Sequence, residues 1–132
     1  MTLEIISDTH SKHEFLTLKG ADVLIHCGDF CTRGHREEIM DFLEWFSAQE
    51  HEHKILIAGN HDLWLEEMSQ QEGIKEDFRA FIYRTYQVIY LNDDSVSIRN
   101  LNFYGSPYSV TFYDWAFMES EEKLYERYKK IP

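Results

Sequence analysis

Carboxylate, imidazole and amide side chains recur in three short clusters: Ser7-Asp8-Thr9-His10, Gly28-Asp29 and Gly59-Asn60-His61-Asp62. Asp8 and Asp29 offer hard oxygen donors, His10 an imidazole nitrogen and Asn60 a neutral carbonyl oxygen. A mixed oxygen and nitrogen set without thiolates suits divalent Mn, Fe, Zn or Mg better than it suits a structural zinc cage. An aspartate between two other ligand pairs can bridge two ions about 3.5–4 Å apart, the spacing that clamps a phosphoryl group during in-line displacement. His61, one residue beyond Asn60, would then stand at the rim, where it transfers a proton rather than coordinating.

Such residues do chemistry together only if the chain brings them to one point. Each cluster follows a short apolar run: Leu3-Glu4-Ile5-Ile6, Val23-Leu24-Ile25-His26-Cys27 and Ile55-Leu56-Ile57-Ala58. Runs of this length, rich in Ile, Val and Leu and bounded by Gly and Asp, predict strands buried on both faces. In an open α/β sheet, ligand groups gather in the crevice beyond the carboxyl ends of the strands. Three neighbouring strands would therefore aim the three clusters at a common site. Between the second and third strands, Ile39, Phe42, Leu43 and Phe46 recur at helical spacing, predicting an amphipathic helix over about 36–49 with Glu37, Glu38 and Asp41 on its wet face.

The three clusters, in this order, resemble the first three signature blocks of the calcineurin-like metallophosphoesterases. Ser7-Asp8-Thr9-His10-Ser11 and Leu24-Ile25-His26-Cys27-Gly28-Asp29, and further on Gly105-Ser106-Pro107-Tyr108 and Trp115-Ala116-Phe117, are similar to the small metallophosphoesterase-domain branch of that family. The resemblance implies an α/β fold, the N-terminal part of a four-layer αββα sandwich, and hydrolysis of a small phosphomonoester or phosphodiester by a metal-bound hydroxide. It implies two divalent ions (Mn, Fe, Zn or Mg), one held by Asp8, His10 and Asp29 and the other by Asp29 and Asn60, with His61 protonating the leaving-group oxygen. The loop from Gly28 to Gly34 is also similar to the GDxVDRG stretch of the protein serine/threonine phosphatases. Thr32 stands where that branch has the aspartate that orients its catalytic histidine, a departure that argues against that branch's substrates. Arg33 is retained, either to grip phosphate bidentately or simply as a surface arginine.

The length, 132 residues, fits a single domain over residues 1–132. Thirteen basic against 24 acidic residues give a net charge of −11, a balance that repels phosphate backbones and argues against nucleic acid as a main partner. No apolar run is long enough for a bilayer, and the N-terminus leads directly into a strand, so the expected compartment is the cytoplasm, with no membrane partner. Cys27, in a strand, reads as a small buried hydrophobe, and Cys31 as a structural thiol in the second ligand loop. Of the remaining histidines, His13 reads as an exposed loop residue or a substrate contact, His26 as a hydrogen-bonded core residue, and His51 and His53 as exposed.

A short helix or turn over 11–21 would carry Phe15, Leu16 and Leu18. Leu63-Trp64-Leu65 reads as one helical turn, and 75–86 as a helix burying Phe78, Phe81 and Ile82. Val88–Leu91 and Ser95–Ile98 read as strands paired around a polar turn, with Leu101–Tyr104 as a third, together starting a second sheet. Residues 105–117 form either a loop over the site or a tight turn with aromatic anchors. A last helix begins after Ser120, a good N-cap, with an apolar edge of Leu124, Tyr125 and Tyr128. The family pattern continues with further histidine blocks, and no histidine follows His61. The chain is therefore expected to be the front part of a metallophosphoesterase, to be completed by another chain or copy, or to be a truncated or degenerate module that binds a metal or protein without catalysis.

Overall fold

The computed structural model describes residues 1–132. Its centre is a parallel sheet of β1 (Leu3–Ile6), β2 (Val23–His26), β3 (His53–Ile57) and β4 (Ile89–Leu91), arranged in that order. Register places Ile5 beside Ile25, Ile25 beside Ile55, and Ile55 beside Ile89. Alternation along each strand then separates two apolar faces. On one face Leu24, Leu56 and Tyr90 pack with Ile39, Phe42, Leu43 and Phe46 of α1 (Arg36–Ser47), Leu65 of α2 (Leu63–Gln70) and Ile82 of α3 (Ile74–Tyr86). The four α1 residues are those of the predicted helical stripe, and all are fully buried. Each such side chain stabilises the fold by about 1.5–3 kcal/mol through removal of apolar surface from water.

On the other face Val23, Ile55 and Leu91 meet Ile98 of β5 (Asp94–Ile98), which pairs antiparallel with β6 (Leu101–Gly105). Helices, parallel sheet and hairpin thus stack in the manner of the N-terminal part of an αββα sandwich. The hairpin covers the β3–β4 side of the sheet, whereas Leu3 and Ile5 on the β1 side are exposed. After β6 come a short parallel pair, β7 (Ser109–Val110) with β8 (Met118–Glu119), and α4 (Glu121–Tyr128), whose N-terminus is capped by Ser120.

Several expectations are corrected. Val88–Leu91 does not pair with Ser95–Ile98; β4 lies parallel to β3 in the first sheet, and the hairpin is β5–β6 alone. The cause is α3, whose length allows a crossover back to the sheet where local pairing alone would have favoured a meander. In the connection after β1, a 3₁₀ turn at His13–Phe15 turns His13 inward against Phe42 and Trp45 and leaves Phe15 86% exposed. His51 is buried, with Nε2 3.0 Å from a carboxylate oxygen of Glu4. His53 is half-buried at the start of β3. Cys27 is exposed because β2 ends at His26, whereas Cys31 is buried; both thiols are free. The inner face of α3 is narrower than expected: Ile82 is buried and Phe81 is exposed. On α4 only Leu124 is buried, and Tyr125 and Tyr128 lie on the surface. Leu63–Leu65 opens a two-turn helix rather than a single turn.

His26 is the hydrogen-bonded core histidine that the sequence indicates, bonded to Thr9 Oγ1 and to the Gly28 N–H. Burial, helped by the charges of His13 and His10 and opposed by Asp8, pushes its pKa down to about 3. A histidine that titrates near 6.5 when unfolded and near 3 when folded takes up its proton more readily in the unfolded chain. Its contribution to stability is fully present above about pH 6.5 and is lost as pH falls toward 3. Denaturant unfolding should therefore show the wild type losing about 2–3 kcal/mol relative to His26→Gln between about pH 6.5 and 4.5. Parallel pH profiles for the two proteins would contradict the neutral, buried imidazole.

Candidate metal centre

The three ligand loops lie at the carboxyl ends of β1, β2 and β3, side by side, because these strands are neighbours in parallel register. Backbone bonds join the first loop to the second: Asp8 N–H to Gly28 O, His10 N–H to Asp29 O and Ser11 N–H to Phe30 O. Asp8, His10, Ser11 and Asp29 all adopt left-handed backbone conformations, with φ between 42 and 59°. Four such non-glycine residues in two adjacent loops are the kind of local strain that accumulates at functional sites.

One donor atom from each of His10, Asp29 and His61 lies within 4.8 Å of the others. The His10 and His61 rings meet edge to face with centroids 4.7 Å apart, and Asp8 Oδ1 is 3.8 Å from His10 Nε2. The tautomers follow from the hydrogen bonds. His10 Nδ1 is 3.1 Å from Cys31 O and His61 Nδ1 is 2.9 Å from Thr32 O. Carbonyls only accept, so both Nδ1 atoms carry protons, and in the neutral tautomer of each ring the lone pair is on Nε2. Backbone partners of this kind orient metal-binding imidazoles and fix their tautomer. Asp29 Oδ1 accepts the His61 N–H at 2.9 Å, leaving its second oxygen available. This set of imidazole and carboxylate donors fits a divalent transition metal.

His61 has an orienting partner although Thr32 stands at the position of the protein phosphatases' aspartate. The aspartate side chain is absent, and the backbone carbonyl of the same residue takes its place. The half-buried Asn60 follows β3, and its backbone carbonyl oxygen, not its side-chain amide, accepts from Ala116 N–H at 3.0 Å. That bond ties residues 115–117 across the third loop, and Trp115 packs on the His61 ring at 4.2 Å between centroids. Of the two alternatives for this stretch, the loop over the site is the one formed. Thr32, Arg33, Asn60, His61, Asp114 and Trp115 help to line an open groove of about 430 Å³. Arg33 is exposed on its wall.

Two residues that hold the site together were not identified from sequence. Asp62 is fully buried and accepts three backbone N–H groups: Gly59 at 2.7 Å, Asp29 at 2.9 Å and Cys31 at 3.0 Å. Burial, aided by the Asp29 charge, pushes its carboxyl up to about 6 against the pull of those donors. Glu38, expected on the wet face of α1, turns back over the helix N-terminus and accepts N–H groups of Thr32, Arg33 and His35 and the Ser11 hydroxyl. Burial opposes its ionisation, but these donors outweigh it and hold the carboxyl below its usual range. The signal for Glu38 was a glutamate at the third helical position, obscured because a histidine and not Ser or Thr precedes the helix.

No helix is long and apolar enough to cross a membrane. The sequence matches the family described as "Calcineurin-like phosphoesterase" over residues 1–130. It is 37% identical to "Metallophosphoesterase domain-containing protein 1" of Homo sapiens, an alignment covering 96% of this chain and 44% of the human protein. It is 34% identical to "UPF0046 protein K07C11.7" of Caenorhabditis elegans, covering 96% of this chain and 46% of that protein. The chain thus spans less than half the length of these curated relatives. With three candidate ligand loops side by side at the strand ends and the match running along nearly all of it, this chain belongs to the calcineurin-like phosphoesterases.

Proposed function

We propose that this chain carries the catalytic face of a metal-dependent phosphoesterase acting on a small phosphomonoester or phosphodiester. The observation that supports it most directly is the convergence of His10, Asp29 and His61, with both imidazoles held at Nδ1 by backbone carbonyls, which leaves Nε2 for a metal at His10 and for a transferable proton at His61. Asp8, His10 and Asp29 would hold one divalent ion (Mn, Fe, Zn or Mg), and Asn60 with Asp29 a second. The metal supplies Lewis-acid polarisation of a phosphoryl oxygen.

In its protonated form His61 carries a second proton, at Nε2, and would deliver it to the departing oxygen, while its Nδ1–H remains on Thr32 O and Trp115 restrains the ring. Arg33, on the wall of the same groove, grips a pair of phosphate oxygens. The reading includes a cytoplasmic setting and a small substrate, with neither nucleic acid nor membrane as partner.

Calorimetric titration with Mn²⁺, followed by assay on nitrophenyl phosphate mono- and diesters, tests this on the 132-residue chain and on the natural gene product, whose intact mass should be measured. Asp29→Asn is expected to abolish metal uptake. His61→Ala should leave uptake intact and slow turnover by about 10²–10⁴-fold, the usual worth of a positioned proton donor. Full activity in His61→Ala would remove the acid role. Saturable metal uptake with no hydrolysis in the natural product would favour the non-catalytic module.

A further inference from the structure

His26 occupies an unusual position for a polar side chain. It ends β2, is fully buried, and stands edge-on to the rings of Phe30, Phe42 and Phe46. An apolar residue would fill such a slot without the cost of burying two ring nitrogens. Both nitrogens are used. Nδ1 accepts the Gly28 N–H at 3.1 Å, so the ring proton is on Nε2, which donates to Thr9 Oγ1 at 3.0 Å.

The two partners lie in different ligand loops. Thr9 sits between Asp8 and His10, and Gly28 immediately precedes Asp29. Thr9 is 9% exposed, whereas the side chains of Asp8 and His10 on either side are 64% and 38% exposed. Drawing the Thr9 hydroxyl down to the imidazole therefore turns its two neighbours up toward the site. The Gly28 bond fixes the other loop at the residue from which Asp29 departs.

We propose that His26 is a positioning residue of the metal centre: one neutral imidazole beneath the site, bonded once to each loop, sets the spacing and outward aim of Asp8, His10 and Asp29. This rests on the reading above that those three side chains hold the metal. The backbone bonds between the loops let them run side by side. The imidazole adds the anchor that decides which way the side chains of the first loop face.

The test is Mn²⁺ calorimetry near pH 7.5 on the wild type, Thr9→Ser, Thr9→Val and His26→Gln, each shown by circular dichroism to be folded at the assay temperature. Imidazole ¹⁵N shifts of His26, which report the tautomer without any metal, complete it. Thr9→Ser keeps the hydroxyl and should bind as the wild type does. Thr9→Val, and His26→Gln where it folds, should lose about 10–100-fold in Mn²⁺ affinity, the range for outer groups that orient ligands. The shifts should show Nε2 protonated and Nδ1 bare.

Wild-type affinity in Thr9→Val overturns the proposal, as does a His26 proton on Nδ1. If the wild type itself takes up no Mn²⁺, the ligand reading fails and the proposal with it. Uptake by the wild type with unchanged variants sinks the proposal alone.

Discussion

Replacing Asp62 by alanine is expected to remove about 3–6 kcal/mol of stability and, with it, metal uptake. The figure comes from the three backbone N–H groups of Gly59, Asp29 and Cys31, which lose their only acceptor at a fully buried position. Each unsatisfied buried donor costs about 1–3 kcal/mol, and relaxation of the loops recovers part of the sum. Against a typical total of about 5–15 kcal/mol the loss is large. The same N–H groups fix the starts of the second and third ligand loops, so even the folded fraction should hold Asp29 loosely. Asp62→Asn should be milder, because an amide oxygen in the Oδ2 position still accepts from Gly59 and Asp29, and only the Cys31 N–H then faces a donor. Guanidinium unfolding followed by circular dichroism reads both variants. An Asp62→Ala midpoint equal to that of the wild type would show that the carboxylate does not clamp these loops.

A second large effect should come from a single methyl group. A Cβ at Gly59 would stand 2.2 Å from Asp29 Oδ1 and 2.5 Å from Asp29 N. The nitrogen is backbone, and the oxygen ends a short side chain that is itself tied down. The oxygen is already bound to the His61 N–H, and the nitrogen to Asp62. Gly59→Ala must therefore displace the carboxylate that the ligand reading places at the centre of the site. The expected outcome is a loss of Mn²⁺ affinity of about 10–100-fold, through a misplaced ligand, and overpacking of about 1–3 kcal/mol. Gly20→Ala is the control. Its φ of +86° makes a side chain costly, by about 1–2 kcal/mol, but nothing lies within 4 Å of the added atom. Its metal affinity should match that of the wild type. If Gly59→Ala and Gly20→Ala bind Mn²⁺ equally, the close approach of the second and third loops has no bearing on the site.

These two positions also show where sequence reading stops. Gly59 and Asp62 stand in the third cluster in plain sight, yet nothing local says that one leaves room for Asp29 and the other gathers N–H groups from two loops. Both facts depend on contacts across about thirty residues of chain, as the Asp29–Asp62 separation of 33 shows. Glu38 was misplaced for a related reason. Helical periodicity assigns a residue to a face, but in the first turn a carboxylate can reach back to the preceding N–H groups. His13 and His51 look like loop residues by composition, and are buried because an aromatic helix face or a facing Glu4 happens to receive them.

What the sequence determined by itself was everything carried by local periodicity and by residue order. Three apolar runs dictated three strands, the Ile39–Phe42–Leu43–Phe46 stripe dictated α1, and the candidate ligands sat directly at the strand ends, where chain direction alone sends them to one edge of a parallel sheet. Tertiary structure decided the place of β4, the faces left open, the tautomers of His10 and His61, and the buried acceptors that hold the loops. These depend on which distant donors and apolar faces meet, and backbone pairing and hydrogen-bond satisfaction are settled only when the whole chain competes for the same partners.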